Sequence, residues 1–207
     1  MSDRKIILVG YSGHGIVVAD TAIENNLNVV GYTEKALIST NPFKLEYLGD
    51  ESNLDFKWWD LDVDFLLGIG DNKLRETIYK KIIQKGRQVT TLINSSASIS
   101  KYSTIGEGVF INRNVSINTF AKIGNNVLLN TACVIEHECE IHDNVHIAPG
   151  AVLAGNVKVG DGTFIGANAV IKQGVKIGKN VIIGAGTVVL KDISDGKKIV
   201  GNPNRFI

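Results

Sequence analysis

Ile123-Gly124-Asn125-Asn126-Val127-Leu128, Leu129-Asn130-Thr131-Ala132-Cys133-Val134, Ile135-Glu136-His137-Glu138-Cys139-Glu140: these are three lines of a pattern of sixes that runs unbroken from Ile93 to Ser194. Each hexad opens with Ile, Leu or Val, from Ile93 and Ile99 through Ile165, Ile171, Ile177 and Ile183 to Val189. Four residues later stands a small or β-branched residue, as at Ala97, Ser103, Val109, Val115, Ala121, Val127, Cys133 and Cys139. A period of six is neither the 3.6 of a helix nor the plain alternation of a strand. It describes two inward positions per short strand followed by a corner. Gly or Asn crowds the second place (Gly106, Asn112, Asn118, Gly124, Gly160, Gly166) and the fourth (Asn114, Asn126, Asn144, Asn156, Asn168, Asn180). Both types enter positive φ cheaply, so both places are expected to turn the chain there. Three hexads make one triangular coil, giving roughly 5.7 coils, and an internal repeat of this kind announces a solenoid.

The remainder is bounded by size and composition. A chain of 207 residues holds one large or two small domains. Its 22 basic and 21 acidic side chains are spread evenly, which argues against nucleic-acid or anionic-membrane binding. No apolar run approaches the ~20 residues of a membrane span, and Met1 to Lys5 leads straight into a strand with no signal-peptide pattern. The expected compartment is therefore cytoplasmic. Cys133 and Cys139 occupy equivalent inward places of successive hexads and read as free, buried thiols.

Residues 1–92 read as a small α/β domain. Strand Lys5–Val9 ends in Gly10-Tyr11-Ser12-Gly13-His14-Gly15, and a helix follows with Ile16, Ala19 and Ile23 inward. Val29–Tyr32 is a second strand, residues 36–60 are irregular, and Val63–Leu67 is a third strand running into Gly68-Ile69-Gly70-Asp71-Asn72. Lys73–Lys85 is a helix with Ile78, Ile82 and Ile83 inward, and Gln88–Leu92 a last strand. Strand, glycine turn, helix, strand is a βαβ unit with a parallel sheet. Ligands of such sheets sit at the carboxyl ends of the strands, where the two glycine turns fall, and a helix N-terminus there favours a phosphate. The rival is a dinucleotide fold: Gly10 and Gly15 match the outer glycines of G-x-G-x-x-G, and Glu34 falls where a ribose-binding acid would. Ser12, however, replaces the middle glycine. His14 reads as a ligand contact rather than a catalytic group, and Trp58-Trp59 as packing or a cover over a nucleotide.

Three histidines share two adjacent hexads: His137, His142 and His146. Zinc is one reading, since the spacing of His137 and His142 resembles a ligand pair of the γ-class carbonic anhydrases; that resemblance implies a third ligand about two coils earlier, where this chain has Lys101 and Tyr102, and a catalytic zinc takes three protein ligands. His142 takes the second place, where positive φ is expected, so it reads as structural. His146 is outward from the middle of a strand. His137 is outward at a corner between Glu136 and Glu138, and a neighbouring carboxylate favours its charged form, as a general base requires.

The run Val134-Ile135-Glu136-His137-Glu138-Cys139 with His146, together with Gly10–Gly15 and Gly68–Asn72, resembles the nucleotide-sugar N-acetyltransferases. These are typified by the UDP-4-amino-sugar (N-acetylbacillosamine-forming) enzymes and their perosamine and sialic-acid cousins. The resemblance covers both domains and implies a left-handed parallel β-helix over 93–194, a tail at 195–207 near CoA, acetyl-CoA as co-substrate, no metal, and a homotrimer in glycan biosynthesis. By resemblance, His137 is the general base, Glu138 the carboxylate that raises its basicity, and Asn130 a polar neighbour. His146 lies near the acetyl-CoA sulfur and the Gly155 N–H receives the acetyl carbonyl. Ala167 and Ala185 hold the pantetheine arm, and Val200-Gly201-Asn202-Pro203 matches the turn near the adenine. Ser12, Gly13, His14, Asn72 and Arg75 match the surroundings of the nucleotide-sugar. Where UDP-binding members often carry paired acids, this chain has Thr33-Glu34, so UDP, dTDP and GDP all stay open. The implied reaction is direct acetyl transfer to the amine of a nucleotide-linked, 4-amino-4,6-dideoxy type of sugar. A sugar O-acetyltransferase and a non-catalytic trimeric nucleotide-binding scaffold are the alternatives.

Overall fold

A computed structural model describes residues 4–53, 55–202 and 205–206. It divides into two compact units, Met1–Leu92 and Ile93–Ile207.

The first unit is a parallel sheet of strands β1 (Lys5–Val9), β2 (Val29–Thr33), β3 (Glu46–Tyr47) and β4 (Val63–Leu67), in the order β3-β2-β1-β4. Its helices are α1 (Gly13–Glu24) and α2 (Asn72–Gln84). Ile6 to Val9 and Val63 to Leu67 are buried, as the central strands of a sheet covered on both faces should be. The inward stripe of α1 is Gly15, Val18, Ala19 and Ala22, and Ile23, expected inward, is 42% exposed. The cause is the seating of the helix. A Cβ at Gly15 would strike the Gly10 carbonyl oxygen, and one at Gly68 would strike Gly10 and the Cα of Gly15. Three backbones thus meet without side chains, and that contact sets the rotation of α1. In α2 the buried stripe is Arg75, Ile78 and Ile82, so Ile83 also turns outward. Two further expectations need correction. Gln88–Leu92 contributes an isolated bridge, Val89 to Phe65, in place of a full strand, and the irregular stretch contains β3 and a 3-10 turn at Lys57–Asp60. Trp59 is buried against Phe56 and Phe65, a core role.

The second unit is a parallel β-helix. Two-residue strands pair with strands 18 residues away, as in Ile117 with Ile135, Ile123 with Ile141 and Leu129 with Ile147. Three sheets result, one per side of the coil. The hexad-opening residues from Ile111 to Val189 and the fifth-place residues from Val109 to Ile193 are buried in one column. The column does not end at Ser194: Lys198–Val200 pairs in parallel with Ile182–Ile183, buries Ile199, and then pairs antiparallel with Arg205–Phe206. Pro203 of the expected C-terminal turn lies outside the described residues.

The corners divide their labour more sharply than expected. Positive φ belongs to the fourth place alone: Asn114, Asn126, Asn144, Asn156, Asn168 and Asn180 adopt it, as do Gly108, Gly150 and Gly162. Second-place glycines serve another need, since a Cβ at Gly106 would lie 2.6 Å from the backbone oxygen of Gly124 in the next coil. His142 therefore does not occupy a left-handed position. The three outer faces also differ. One carries the charged row Lys122, Glu140, Lys158 and Lys176, with Glu140 3.2 Å from the Lys158 ammonium. A second carries Phe110, Leu128, His146, Phe164 and Ile182, and the third Val134, Val152, Val170 and Val188.

Candidate active site

His137 and Glu138 stand at the corner that follows strand Val134–Ile135, and Glu138 holds φ +62°. The corner places every fourth-place residue from 108 to 186 in the left-handed region, and an acidic residue there costs about 1–2 kcal/mol relative to Gly. What the acidic side chain achieves is local: Glu138 Oε2 lies 3.1 Å from His137 Nδ1. When Nδ1 donates to that carboxylate, Nε2 carries the lone pair. One coil further on, Gly155 sits directly under the ring, because a Cβ there would overlap His137 Cε1 and Nε2. The two are joined through the backbone, with Asn156 N–H donating to the His137 carbonyl at 2.8 Å.

The Gly155 N–H differs from those of some other corners, as do the third-place N–H groups of Ala167 and Ala185, which follow Gly166 and Gly184. At comparable corners the third-place N–H is received by the preceding Asn: Arg113 by Asn112 at 2.7 Å, Thr119 by Asn118 at 2.8 Å, Thr131 by Asn130 at 2.8 Å. Before Gly155 stands Ala154, which has no acceptor to offer. A backbone N–H in the residue directly under an imidazole is of the type that can receive an oxyanion while the imidazole takes a proton. The period of 18 that brings residue 155 over residue 137 was legible in the hexads.

His146 is buried, its ring edge-on to Phe164 at 5.0 Å, with Nε2 3.5 Å from Asn130 Nδ2. Asn130 is itself fixed by Asn112 Nδ2 at 3.0 Å. Ala167 and Ala185 stack at the third place of one corner, with Gly186 N–H donating to the Ala167 carbonyl at 2.8 Å. One chain thus forms two separate groups, His137 with Glu138 and Gly155, and His146 with Asn130. They lie on different sides of the coil, with strand Glu140–Ile141 and the His142 corner between them.

In the α/β unit a cleft of about 300 Å³ opens over the carboxyl ends of β1, β2 and β4, lined by Ser12, His14, Glu34, Gly68 and Asp71. Ser12 precedes α1 without a side-chain cap, and Gly13 faces open space. Burial, with the charge of Arg75, pushes the His14 pKa down to about 4, so the imidazole is neutral at pH 7. Arg75 is buried, its own pKa lowered to about 10 by that burial. Its guanidinium lies 3.3–3.4 Å from the carbonyls of Gly70 and Ile69 and 3.2 Å from Asn72 Oδ1, tying down the second glycine turn. Glu34 Oε1 accepts the Tyr11 N–H at 2.8 Å. Lys35 and Glu51 also line the cleft and were not anticipated; they follow strand ends, where such clefts open.

His142 lies 3.9 Å from Asp161, whose other oxygen is held by Lys179 at 2.8 Å. Among the described residues no group of three His, Cys, Asp or Glu is placed to hold a metal, and no helix is long and apolar enough to cross a membrane. Burial pushes the thiols up, Cys133 to about 12 and Cys139 to about 11, which leaves both protonated and unreactive.

These features match known proteins along the whole chain. The PglD N-terminal domain matches residues 5–82, and the bacterial transferase hexapeptide model (six repeats) matches 120–155 and 156–191. The chain thus joins a PglD-type N-terminal domain to a left-handed β-helix of the hexapeptide-repeat transferases. It is 32% identical over 115 residues to UDP-N-acetylbacillosamine N-acetyltransferase of Bacillus subtilis (strain 168). That alignment covers 52% of this chain and 51% of the relative, so it spans about half the length of the curated protein. A mutant GDP-perosamine N-acetyl transferase from Caulobacter crescentus, solved with CoA and GDP-perosamine, superposes with a TM-score of 0.93 at 29% identity, over 100% of this chain and 98% of that one. The acetyltransferase domain of PglB from Neisseria gonorrhoeae, solved with acetyl coenzyme A, gives 0.92 at 28% identity over 100% of both chains.

Proposed function

We propose that this chain transfers the acetyl group of acetyl-CoA to the amino group of a nucleotide-linked amino sugar. The observation that carries the reading is the His137 imidazole, held by Glu138 at Nδ1 and laid over Gly155, whose N–H the sequence leaves without an Asn acceptor. The relatives with the same fold over the whole chain were solved with CoA and GDP-perosamine, or with acetyl coenzyme A, and lend the chemistry its class.

The reaction is a direct transfer in a ternary complex. The neutral sugar amine attacks the thioester carbonyl, and His137 Nε2 takes the proton as the C–N bond forms. The oxygen gathers charge against the Gly155 N–H, an interaction type worth about 3 kcal/mol. Collapse breaks the C–S bond, and the sulfur leaves with the proton carried by His137. Neither cysteine takes part, since both thiols are buried and protonated. His146 and Asn130 contact the thioester end, and small side chains at Ala167 and Ala185 leave room for the pantetheine arm. The nucleotide occupies the cleft of the α/β unit, its pyrophosphate at the start of α1 beside Ser12, Gly13 and His14. Glu34 and Asn72 flank it, and Arg75 acts by holding the turn.

The same geometry supports a homotrimer. The groups around His137 and His146 lie on different sides of one coil, so a site using both is completed by a second copy. The two uncharged faces, with Val170 41% and Ile182 42% exposed, supply surfaces for such contacts.

The test is thiol release from acetyl-CoA against a panel of UDP-, dTDP- and GDP-linked amino and hydroxyl sugars. Release with amino sugars alone supports the reading, and release with hydroxyl sugars alone replaces it with O-acetylation. Silence with every acceptor overturns catalysis and leaves a nucleotide-binding scaffold.

A further inference from the structure

We propose that Phe120, with Tyr102, forms an aromatic shelf that receives the apolar face of the acceptor sugar beside the His137–Glu138 pair. The inference rests on the acetyltransferase reading and adds specificity residues to it.

Fourth-place corner positions from residue 108 to 186 all hold positive φ, and nearly all are Gly or Asn. Phe120 is an exception at φ +63°, with a bulky side chain that makes the left-handed backbone costly. Packing does not account for it, because the side chain is 60% exposed. Eighteen residues earlier in the same corner stands Tyr102, 59% exposed, its ring 6.0 Å from that of Phe120. Among the described residues no other aromatic side chain is as exposed as these two.

Eighteen residues later in the same corner stands Glu138, and its N–H donates to the Thr119 carbonyl at 3.0 Å. The corner therefore reads Tyr102, Phe120, Glu138 on three successive coils, spaced by the ~4.8 Å of paired strands. Two strained residues hold the same corner place in adjacent coils: Glu138 at the base, and Phe120 one coil before it. Strain of this kind is retained where it serves a site. The negative face of an aromatic ring suits the C–H face of a pyranose. It suits a deoxy sugar best, since a methyl group replaces a hydroxyl that would otherwise lose its water. Lys101, 5.0 Å over the Tyr102 ring, marks the outer edge of the shelf.

Phe120→Asn is the decisive variant, because Asn is the residue this corner place most often carries, so folding is preserved or improved. With 4-amino-4,6-dideoxy sugars linked to UDP, dTDP and GDP, kcat/KM for the sugar nucleotide should fall about tenfold. The KM for acetyl-CoA and the solution mass should stay as in the wild type, and Phe120→Tyr should retain activity. Calorimetry supplies a readout independent of turnover: the extra affinity of the sugar nucleotide over the bare diphosphate should vanish in Phe120→Asn. If the wild type shows no turnover but this increment exists and is lost, the acetyl-transfer reading falls and the shelf stands. Unchanged kcat/KM and an unchanged increment overturn the shelf alone, and a change of oligomeric mass overturns it in favour of a subunit contact.

Discussion

Two corners of one coil, a single strand apart, each present a histidine near a carboxylate, and only one is arranged for chemistry. At His142 the neighbour is Asp161 at 3.9 Å, already committed to Lys179 at 2.8 Å, and the row around it bonds coil to coil, as Asp143 does with the Asn125 N–H at 2.7 Å. At His137 the carboxylate is the adjacent residue, a Glu at a left-handed corner place that Gly or Asn usually fills, 3.1 Å from Nδ1, and a glycine below makes room for the ring. The first corner satisfies itself. The second leaves a half-exposed imidazole over a buried glycine, with a strained residue type at the corner beside it. In a solenoid where every coil solves the same folding problem, the departures from the shared solution mark the site.

The largest effect should come from His137→Ala. The side chain is half exposed and lies outside the apolar column, so the variant should fold and keep its mass. General-base removal should lower kcat by about 10²–10⁴-fold with little change in KM. Gly155→Ala comes next and tests the stacking itself. Its Cβ would occupy the space of the His137 ring, a half-exposed side chain that can swing away, so stability should change little. Displacing the base by an ångström should cost up to about 10²-fold in kcat. Wild-type rates in Gly155→Ala would show that the ring is not used where it lies.

Glu138→Asn separates strain from function. Asn fills the same corner place at Asn126, Asn144 and Asn156, so thermal melting should show a gain of about 0.5–1 kcal/mol. Activity should fall about tenfold, because only the orientation of the base is lost and the base itself remains. A loss of stability would mean that Glu138 is not strained.

The contrast between corners was partly readable in advance, and its limits have physical causes. The inward column was legible because each hexad opening and fifth place admits only apolar or small residues, so the period declares itself in residue types. The second and fourth places could not be told apart, since Gly and Asn answer both a positive φ and a tight passage between coils. Ile23 was misplaced because the rotation of α1 is set by the contact of Gly10, Gly15 and Gly68, which no helical periodicity encodes, and Ile83 because the buried stripe of α2 runs through Arg75, Ile78 and Ile82. The Glu-His-Glu run drew attention to His137, but that Gly155 lies under its ring emerges only when the period of 18 is applied to that pair. Arg75 matched the nucleotide surroundings in sequence, yet its guanidinium is directed to the turn beneath them.

His142→Asn should have the smallest effect, and it is the sharpest check on the comparison. The second place already carries Asn at Asn112, Asn118 and Asn130, and the backbone at His142 lies outside the left-handed region. What the substitution removes is a 3.9 Å contact between half-exposed side chains, of a kind worth about 0–1 kcal/mol. Asp161 keeps Lys179, so no charge is stranded. Unfolding free energy should stay within about 0.5 kcal/mol of the wild type, and kcat/KM for both substrates should be unchanged. Paired with His137→Ala, the variant gives a clean reversal test, because the two residues belong to the same coil. Should His142→Asn abolish turnover while His137→Ala retains it, the base stands on the other corner. Asp161 would then be its partner, and the strain at Glu138 would need another cause.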